Sequence, residues 1–186
     1  MKTIPIQALL LAAGKGTRLR SGVAKVLHRA HGLPLLEHVV RAVRGAGATS
    51  VAVVVGHQAE LVESAFAGRD LTFVRQEPPL GTGHAVQVAR SLFTGRPEET
   101  VLVVNGDLPL LRAETVSRLV SAHREGGTAA TLLTTKLAEP GAYGRVVRGA
   151  GGLVEAIAEA KDASPAELAI LEINAGVYAF AAAALL

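Results

Sequence analysis

The residues best suited to chemistry stand in the run Leu9-Leu-Leu-Ala-Ala-Gly-Lys-Gly-Thr-Arg18, where an apolar stretch turns through a Gly-x-Gly pair into basic residues. Glycines let backbone N–H groups approach phosphate oxygens closely, and lysine and arginine neutralise the charge those oxygens carry. With Arg18 and Lys25 included, the segment from Leu11 to Lys25 reads as a cradle for a polyphosphate. Two other phosphate loops are excluded. The Gly-Lys-Ser/Thr ending of a Walker loop is absent, and a dinucleotide fingerprint needs a third glycine where Leu19 stands. An ordinary strand-to-helix turn remains the other reading of the glycine pair alone.

Asn105-Gly-Asp107 follows the wholly apolar run Val101-Leu-Val-Val104. Ligands of open α/β sheets gather outside the carboxyl ends of the strands, which places Asp107 toward the same crevice as the first loop. A single carboxylate beside a triphosphate suits Mg²⁺, which fills its other positions with water and phosphate oxygens. A turn, or a cap for a helix near residue 112, accounts for Asp107 equally well. In Gln76-Glu-Pro-Pro-Leu-Gly-Thr-Gly-His84 the Gln76 amide can pair with donor and acceptor on a base edge, while Gly81 and Thr82 bring backbone groups to that edge. The plainer reading is a loop leading to a helix cap. Tyr143-Gly-Arg145, Glu159-Ala-Lys-Asp162 and Glu172-Ile-Asn-Ala-Gly176 offer polar groups suited to sugar hydroxyls. The histidines at 28, 31, 38, 57, 84 and 123 have no metal-ligand spacing and no cysteine to join them, so surface or core positions are expected.

These groups need a scaffold, and hydrophobic periodicity supplies it. Strands are expected near 6–12, 50–55, 71–75 and 100–104, and helices near 34–46, 57–67, 82–92 and 112–124. The alternation predicts an α/β fold, a Rossmann-like and mostly parallel sheet with helices on both faces. Past about residue 126 the pattern shifts to short β-rich pieces near 128–135, 144–148, 152–159 and 170–180, read as an insertion or antiparallel edge. The 186 residues fit one domain, with 1–126 as the nucleotide-binding half and 127–186 as a sugar-binding part. Aromatics at 3% leave the core to aliphatic side chains, and stacking on nucleic-acid bases has little to work with. Residues 1–49 carry Lys2, Lys15, Arg18, Arg20, Lys25, Arg29, Arg41 and Arg44 against the single acid Glu37, so that quarter should attract anions. Cysteine is absent, no targeting segment is visible, and the apolar run 8–13 is far shorter than the roughly 20 residues that span a bilayer. Cytoplasm is therefore the expected compartment, with neither nucleic acid nor membrane as a partner.

Taken in order, the segments resemble the N-terminal pyrophosphorylase domain of bacterial N-acetylglucosamine-1-phosphate uridylyltransferases, the GlmU family. The resemblance rests on Leu11-Ala-Ala-Gly-Lys-Gly-Thr-Arg18, Lys25-Val-Leu-His28, Gln76 with Leu80-Gly-Thr-Gly-His-Ala85, Gly106-Asp107 with Pro109-Leu110, Tyr143-Gly-Arg145, Glu159 with Lys161-Asp162-Ala163, and Glu172-Ile-Asn174. It covers essentially the whole chain, and the Lys-Val-Leu-His and Leu-Gly-Thr-Gly-His-Ala strings are its most specific parts. It implies that UTP and N-acetylglucosamine 1-phosphate react to UDP-N-acetylglucosamine, a peptidoglycan precursor, and pyrophosphate, with Mg²⁺ as cofactor. Leu11, Ala12, Ala13 and Gly14 would hold the nucleotide, and Gln76, Gly81 and Thr82 would read uracil. Arg18 and Lys25 would bind the phosphates as the catalytic cations, and Asp107 would ligate the metal. Gly144, Glu159 and Asn174 would contact the sugar. Family members continue into a segment with a second metal ligand and a trimerising β-helix, so the domain is read as C-terminally incomplete and the chain as a monomer. Another sugar-1-phosphate nucleotidyltransferase, thymidylyl or cytidylyl, and a non-catalytic nucleotide-sugar-binding domain are the competing readings.

Overall fold

Runs of Val, Leu and Ala with no polar interruption become strands buried on both faces, and runs with apolar residues three and four apart become the helices that cover them. The computed structural model describes residues 5–14, 16, 19, 21–93 and 99–185. In chain order the strands are β1 (Ile6–Leu11), β2 (Arg29–Ala30), β3 (Leu33–Pro34), β4 (Ala48–Val55), β5 (Thr72–Arg75), β6 (Thr100–Asn105), β7 (Ala130–Lys136), β8 (Arg145–Arg148), β9 (Val154–Ala158) and β10 (Glu172–Ala181). The helices are α1 (Leu35–Gly45), α2 (Ala59–Ala65), α3 (Thr82–Val88), α4 (Ala113–Gly126) and α5 (Pro165–Leu168). The chain forms two compact units, one of Met1–Thr131 with Tyr178–Leu186 and the other of Leu132–Val177.

In the first unit β1 lies between β4 and β6 and parallel to both, and β5 adds to β4 in parallel. Leu11 is level with Val54 on one side and Asn105 on the other, so the carboxyl ends of three strands form one edge. Side chains alternate across the sheet. Leu9, Val54, Val101 and Val103 pack with Ala85 and Ala89 from the α3 segment and with Phe93 on the 3-10 turn after it. Ala8, Leu10, Val53, Val55, Leu102 and Val104 point the other way and are also buried. There α1 packs on β1 and β4 and against α4. Each fully buried valine or leucine contributes about 1.5–3 kcal/mol, and this two-sided burial carries the sheet. The buried stripe of α1 is Leu36, Val39, Val40 and Val43, leaving Arg41 and Arg44 outward; Gly47 at φ 94° then turns the chain into β4. The fold is thus α/β, with a mostly parallel central sheet and helices on both faces.

In the second unit β8 and β9 form an antiparallel hairpin, and β10 pairs with β8 through Ile173 and Arg145. Strand β10 itself runs on from this unit into the first at Tyr178. Three elements differ from the sequence expectations. The helix expected over 82–92 stops at Val88 and tightens into the 3-10 turn Arg90–Phe93. A β2–β3 hairpin turns through His31 and Gly32, both at positive φ. The short α5 starts at a capping box between Ser164 and Glu167 with Pro165 in its first turn. None of the helices among the described residues is long and apolar enough to cross a membrane.

Candidate functional site

Three backbone hydrogen bonds join the loops at the carboxyl edge of the first unit. Ala12 N–H donates to Val54 C=O at 2.8 Å, Gln76 N–H to Val55 C=O at 2.8 Å, and Gly106 N–H to Leu11 C=O at 2.9 Å. The loops after β1, β5 and β6 are thereby extensions of the sheet, with positions inherited from it. Two glycines make the approach possible. A Cβ on Gly56 would lie 3.1 Å from Ala13 O and 3.3 Å from Gln76 O, and one on Gly106 would lie 3.0 Å from Leu11 O and 3.2 Å from Leu36 Cδ1.

The edge opens into a cleft of about 380 Å³. From the end of β1 come Leu11, Ala12, Ala13 and Gly14, and from the 3-10 turn Lys25–Leu27 come Lys25 and Val26. The loop after β5 and the start of α3 supply Gln76, Pro79, Gly81, Thr82 and Ala85, and β6 with its loop supplies Asn105 and Asp107. The structure therefore brings Leu11, Ala12, Ala13, Gly14, Lys25, Gln76, Gly81, Thr82 and Asp107 around one cavity. Arg18 lies outside the described residues. Asp107 does not cap α4, whose cap position is Arg112.

The polar groups of this cleft have defined partners. The Lys25 ammonium forms an ion pair with the Asp107 carboxylate, with side chains 41% and 23% exposed. Gly16, at φ 59°, packs on the root of Lys25, where an added Cβ would lie 2.8 Å from Lys25 Cβ. Gln76, 4% exposed, donates from Nε2 to Gly81 C=O at 2.9 Å and stands 3.1 Å from His84 Nδ1. Asp107 with phosphate oxygens and water matches what Mg²⁺ asks of a protein. No group of three or more His, Cys, Asp or Glu that could hold a metal ion occurs among the described residues.

Among the described residues, most basic side chains of the first 49 are occupied away from the cleft. Arg41 and Arg69 both pair with the buried Glu37, Arg44 pairs with Asp70, and Arg29 donates to Gly32 C=O. Those arginines fasten α1 and the β2–β3 turn. Lys25 is the cation that lines the cleft among the described residues.

In the second unit Gly144, Glu159 and Asn174 come together. Asn174 N–H donates to Gly144 C=O at 2.9 Å, and a Cβ on Gly144 would lie 3.5 Å from Glu159 Oε1. Asn174 Oδ1 accepts from Gly176 N–H at 2.9 Å, and the Arg145 guanidinium, buried beside them, donates to the backbone oxygens of Tyr143 and Gly141. Farther along, Arg148 donates from Nη2 to Glu172 at 2.6 Å. Hydrogen bonds from Arg148 and then Thr134 hold the Glu172 carboxyl down to about 2. Sequence reasoning missed His84 as a partner of Gln76 and missed Val26, Pro79 and Ala85 as cleft walls. A single histidine carries no spacing signal, and apolar walls look like core until the cavity is seen.

Residues 8–174 match the family described as the MobA-like NTP transferase domain. The bifunctional protein GlmU of Pelobacter propionicus is 48% identical over 174 residues, covering 93% of this chain and 38% of its own length. Its namesake in Kineococcus radiotolerans is 47% identical over 184 residues, covering 98% of this chain and 37% of its own length. The chain thus spans under two fifths of the length of these relatives. Among solved structures, a UDP-glucose pyrophosphorylase complexed with UDP-glucose superposes with a TM-score of 0.78 at 18% identity, over 96% of this chain and 76% of that one. At that identity the likeness speaks for the fold.

Proposed function

Because the chain belongs to the MobA-like NTP transferase domain family, we propose that it transfers a nucleotidyl group to a sugar 1-phosphate: a uridylyl group from UTP to N-acetylglucosamine 1-phosphate. The observation that carries this is the cleft in which the Gln76 amide, glycine backbone, a lysine and a carboxylate meet at the carboxyl edge of the sheet. The relatives named GlmU favour the uridylyl and N-acetylglucosamine assignment over other nucleotides and sugars.

In this reading the uracil lies against Gln76, Gly81 and Thr82, and the backbone of Leu11 to Gly14 holds the rest of the nucleotide. Arg18 and Lys25 gather the triphosphate and the sugar phosphate, two polyanions that repel one another in water. Gly144, Glu159 and Asn174 contact the sugar. A phosphate oxygen of the sugar phosphate bonds to the α-phosphorus as the bond to the β-phosphate bridging oxygen breaks, and pyrophosphate leaves. A sugar phosphate is already an anion at neutral pH, so no general base is required and the protein's work is alignment and charge stabilisation. When bound, Mg²⁺ held by Asp107 and phosphate oxygens would supply neutralisation of the charge on the transferring group.

Pyrophosphate release with N-acetylglucosamine 1-phosphate and Mg²⁺, measured across UTP, dTTP, CTP, ATP and GTP, tests the assignment. UTP should give the highest kcat/KM. A preference for dTTP or CTP would transfer the reading to the thymidylyl or cytidylyl alternative. Binding of UDP-N-acetylglucosamine without turnover of any nucleotide would leave a binding domain.

A further inference from the structure

We propose that His84 is a positioning residue that sets pyrimidine selectivity by fixing which end of the Gln76 amide faces the base. The inference rests on the reading that a nucleotide base lies against Gln76. A glutamine amide is nearly symmetrical in shape but opposite in chemistry at its two ends, and a pocket that leaves it free to turn reads donor and acceptor alike. Here it is not free. The Gly81 carbonyl can only accept, so the amide end that meets it at 2.9 Å must be the NH₂.

The same nitrogen lies 3.1 Å from His84 Nδ1. A donor facing it makes Nδ1 the acceptor, which leaves the ring proton of neutral His84 on Nε2. Both amide protons are thereby engaged, one by the backbone and one by the imidazole. Gln76 Oε1 takes no hydrogen bond among the described residues, and the side chain lines the cleft. The cleft therefore shows the base a fixed acceptor.

That acceptor discriminates. Uracil and thymine carry N3–H and can donate to Oε1, whereas cytosine presents the N3 lone pair and repels it. To suit cytosine the amide must turn over, which sets its oxygen against Gly81 C=O and, while the ring proton stays on Nε2, against the Nδ1 lone pair of His84. The Gly81 carbonyl belongs to the backbone turn, so His84 is the side chain through which this preference can be changed. His84 need not touch the nucleotide.

The test is the ratio of dissociation constants for CTP and UTP, measured by calorimetry on the wild-type chain, His84→Leu and His84→Asn, with thermal melts beside them. Wild type should prefer UTP by about 100-fold. His84→Leu, lacking an acceptor, should cut that ratio about tenfold. His84→Asn, whose Oδ1 can stand where Nδ1 does, should restore it. An unchanged ratio in a folded His84→Leu chain that still binds UTP would overturn the inference, as would failure of His84→Asn to restore it. Imidazole ¹⁵N shifts on the wild-type chain supply an arm that needs no variant: a proton on Nε2 is expected, and one on Nδ1 contradicts the mechanism. If wild type binds neither UTP nor CTP, the proposed function falls first and this inference with it; if it binds both equally, only the selectivity argument falls.

Discussion

Lys25 and Asp107 have residue types that sequence reasoning could pick out, yet their relation to each other was not legible. One was read as a phosphate cation and the other as a metal carboxylate, and in the free protein they satisfy one another. Such a half-exposed pair is worth about 0.2–1 kcal/mol, small enough for a triphosphate and a metal to displace. A prediction follows from that balance. Asp107→Asn releases Lys25, so binding of UTP in the presence of EDTA should tighten about twofold to fivefold, while Mg²⁺-dependent turnover is lost. Calorimetry and a pyrophosphate assay check the two halves, and weaker metal-free binding would contradict the pairing as a competitor of phosphate. The place of Gln76 in the cleft was legible too, because it follows directly on a strand whose carboxyl end lies at that edge. That of His84 was not, since its contact with Gln76 is made across the loop from the first turn of α3.

At the scale of elements, the strands and most helices followed from pattern, because buried parallel strands are continuous apolar runs and α1 keeps its stripe at 36, 39, 40 and 43. The elements that escaped are short. The β2–β3 hairpin has two residues a strand, too few for any period, and the capping box of α5 stands before a single turn. The glycines of the loops divide sharply by surroundings. Gly106→Ala drives a methyl toward Leu11 O, Leu36 and Val26 and should cost about 1–3 kcal/mol in urea unfolding. Among the described residues nothing beyond its chain neighbours lies within 4 Å of a Cβ added to Gly14, so Gly14→Ala should melt near wild type while weakening UTP binding, since Gly14 lines the cleft. If Gly14→Ala binds UTP normally, the nucleotide does not lie against that backbone.

Across the whole molecule, the basic surplus of the first quarter was visible in composition, but its destination was not. Charge count cannot tell the cleft-lining Lys25 from Arg41 and Arg44, which pair with Glu37 and Asp70. Net charge speaks to partners and solubility, and the fold decides where each charge is used. Stability against acid should be carried partly by the second unit. Glu172, held down to about 2 by Arg148, is charged in the folded state where an ordinary carboxyl near 4.5 has begun to protonate. The pair's contribution is therefore present above about pH 4.5 and fades as pH falls toward 2. Urea unfolding of wild type and Arg148→Met should differ at pH 7 and converge near pH 2. A gap that stays constant would show that the pair is not the source.

In the proposed reaction a phosphate oxygen of a sugar phosphate displaces pyrophosphate from UTP in this cleft. N-acetylglucosamine 1-phosphate labelled with ¹⁸O in its non-bridging phosphate oxygens, incubated with UTP, Mg²⁺ and the chain, tests it by mass spectrometry of the products. The expected products are UDP-N-acetylglucosamine that retains the label, one ¹⁸O bridging its two phosphorus atoms, and unlabelled pyrophosphate. Unlabelled UMP with no nucleotide sugar, or no reaction of UTP at all, would contradict it.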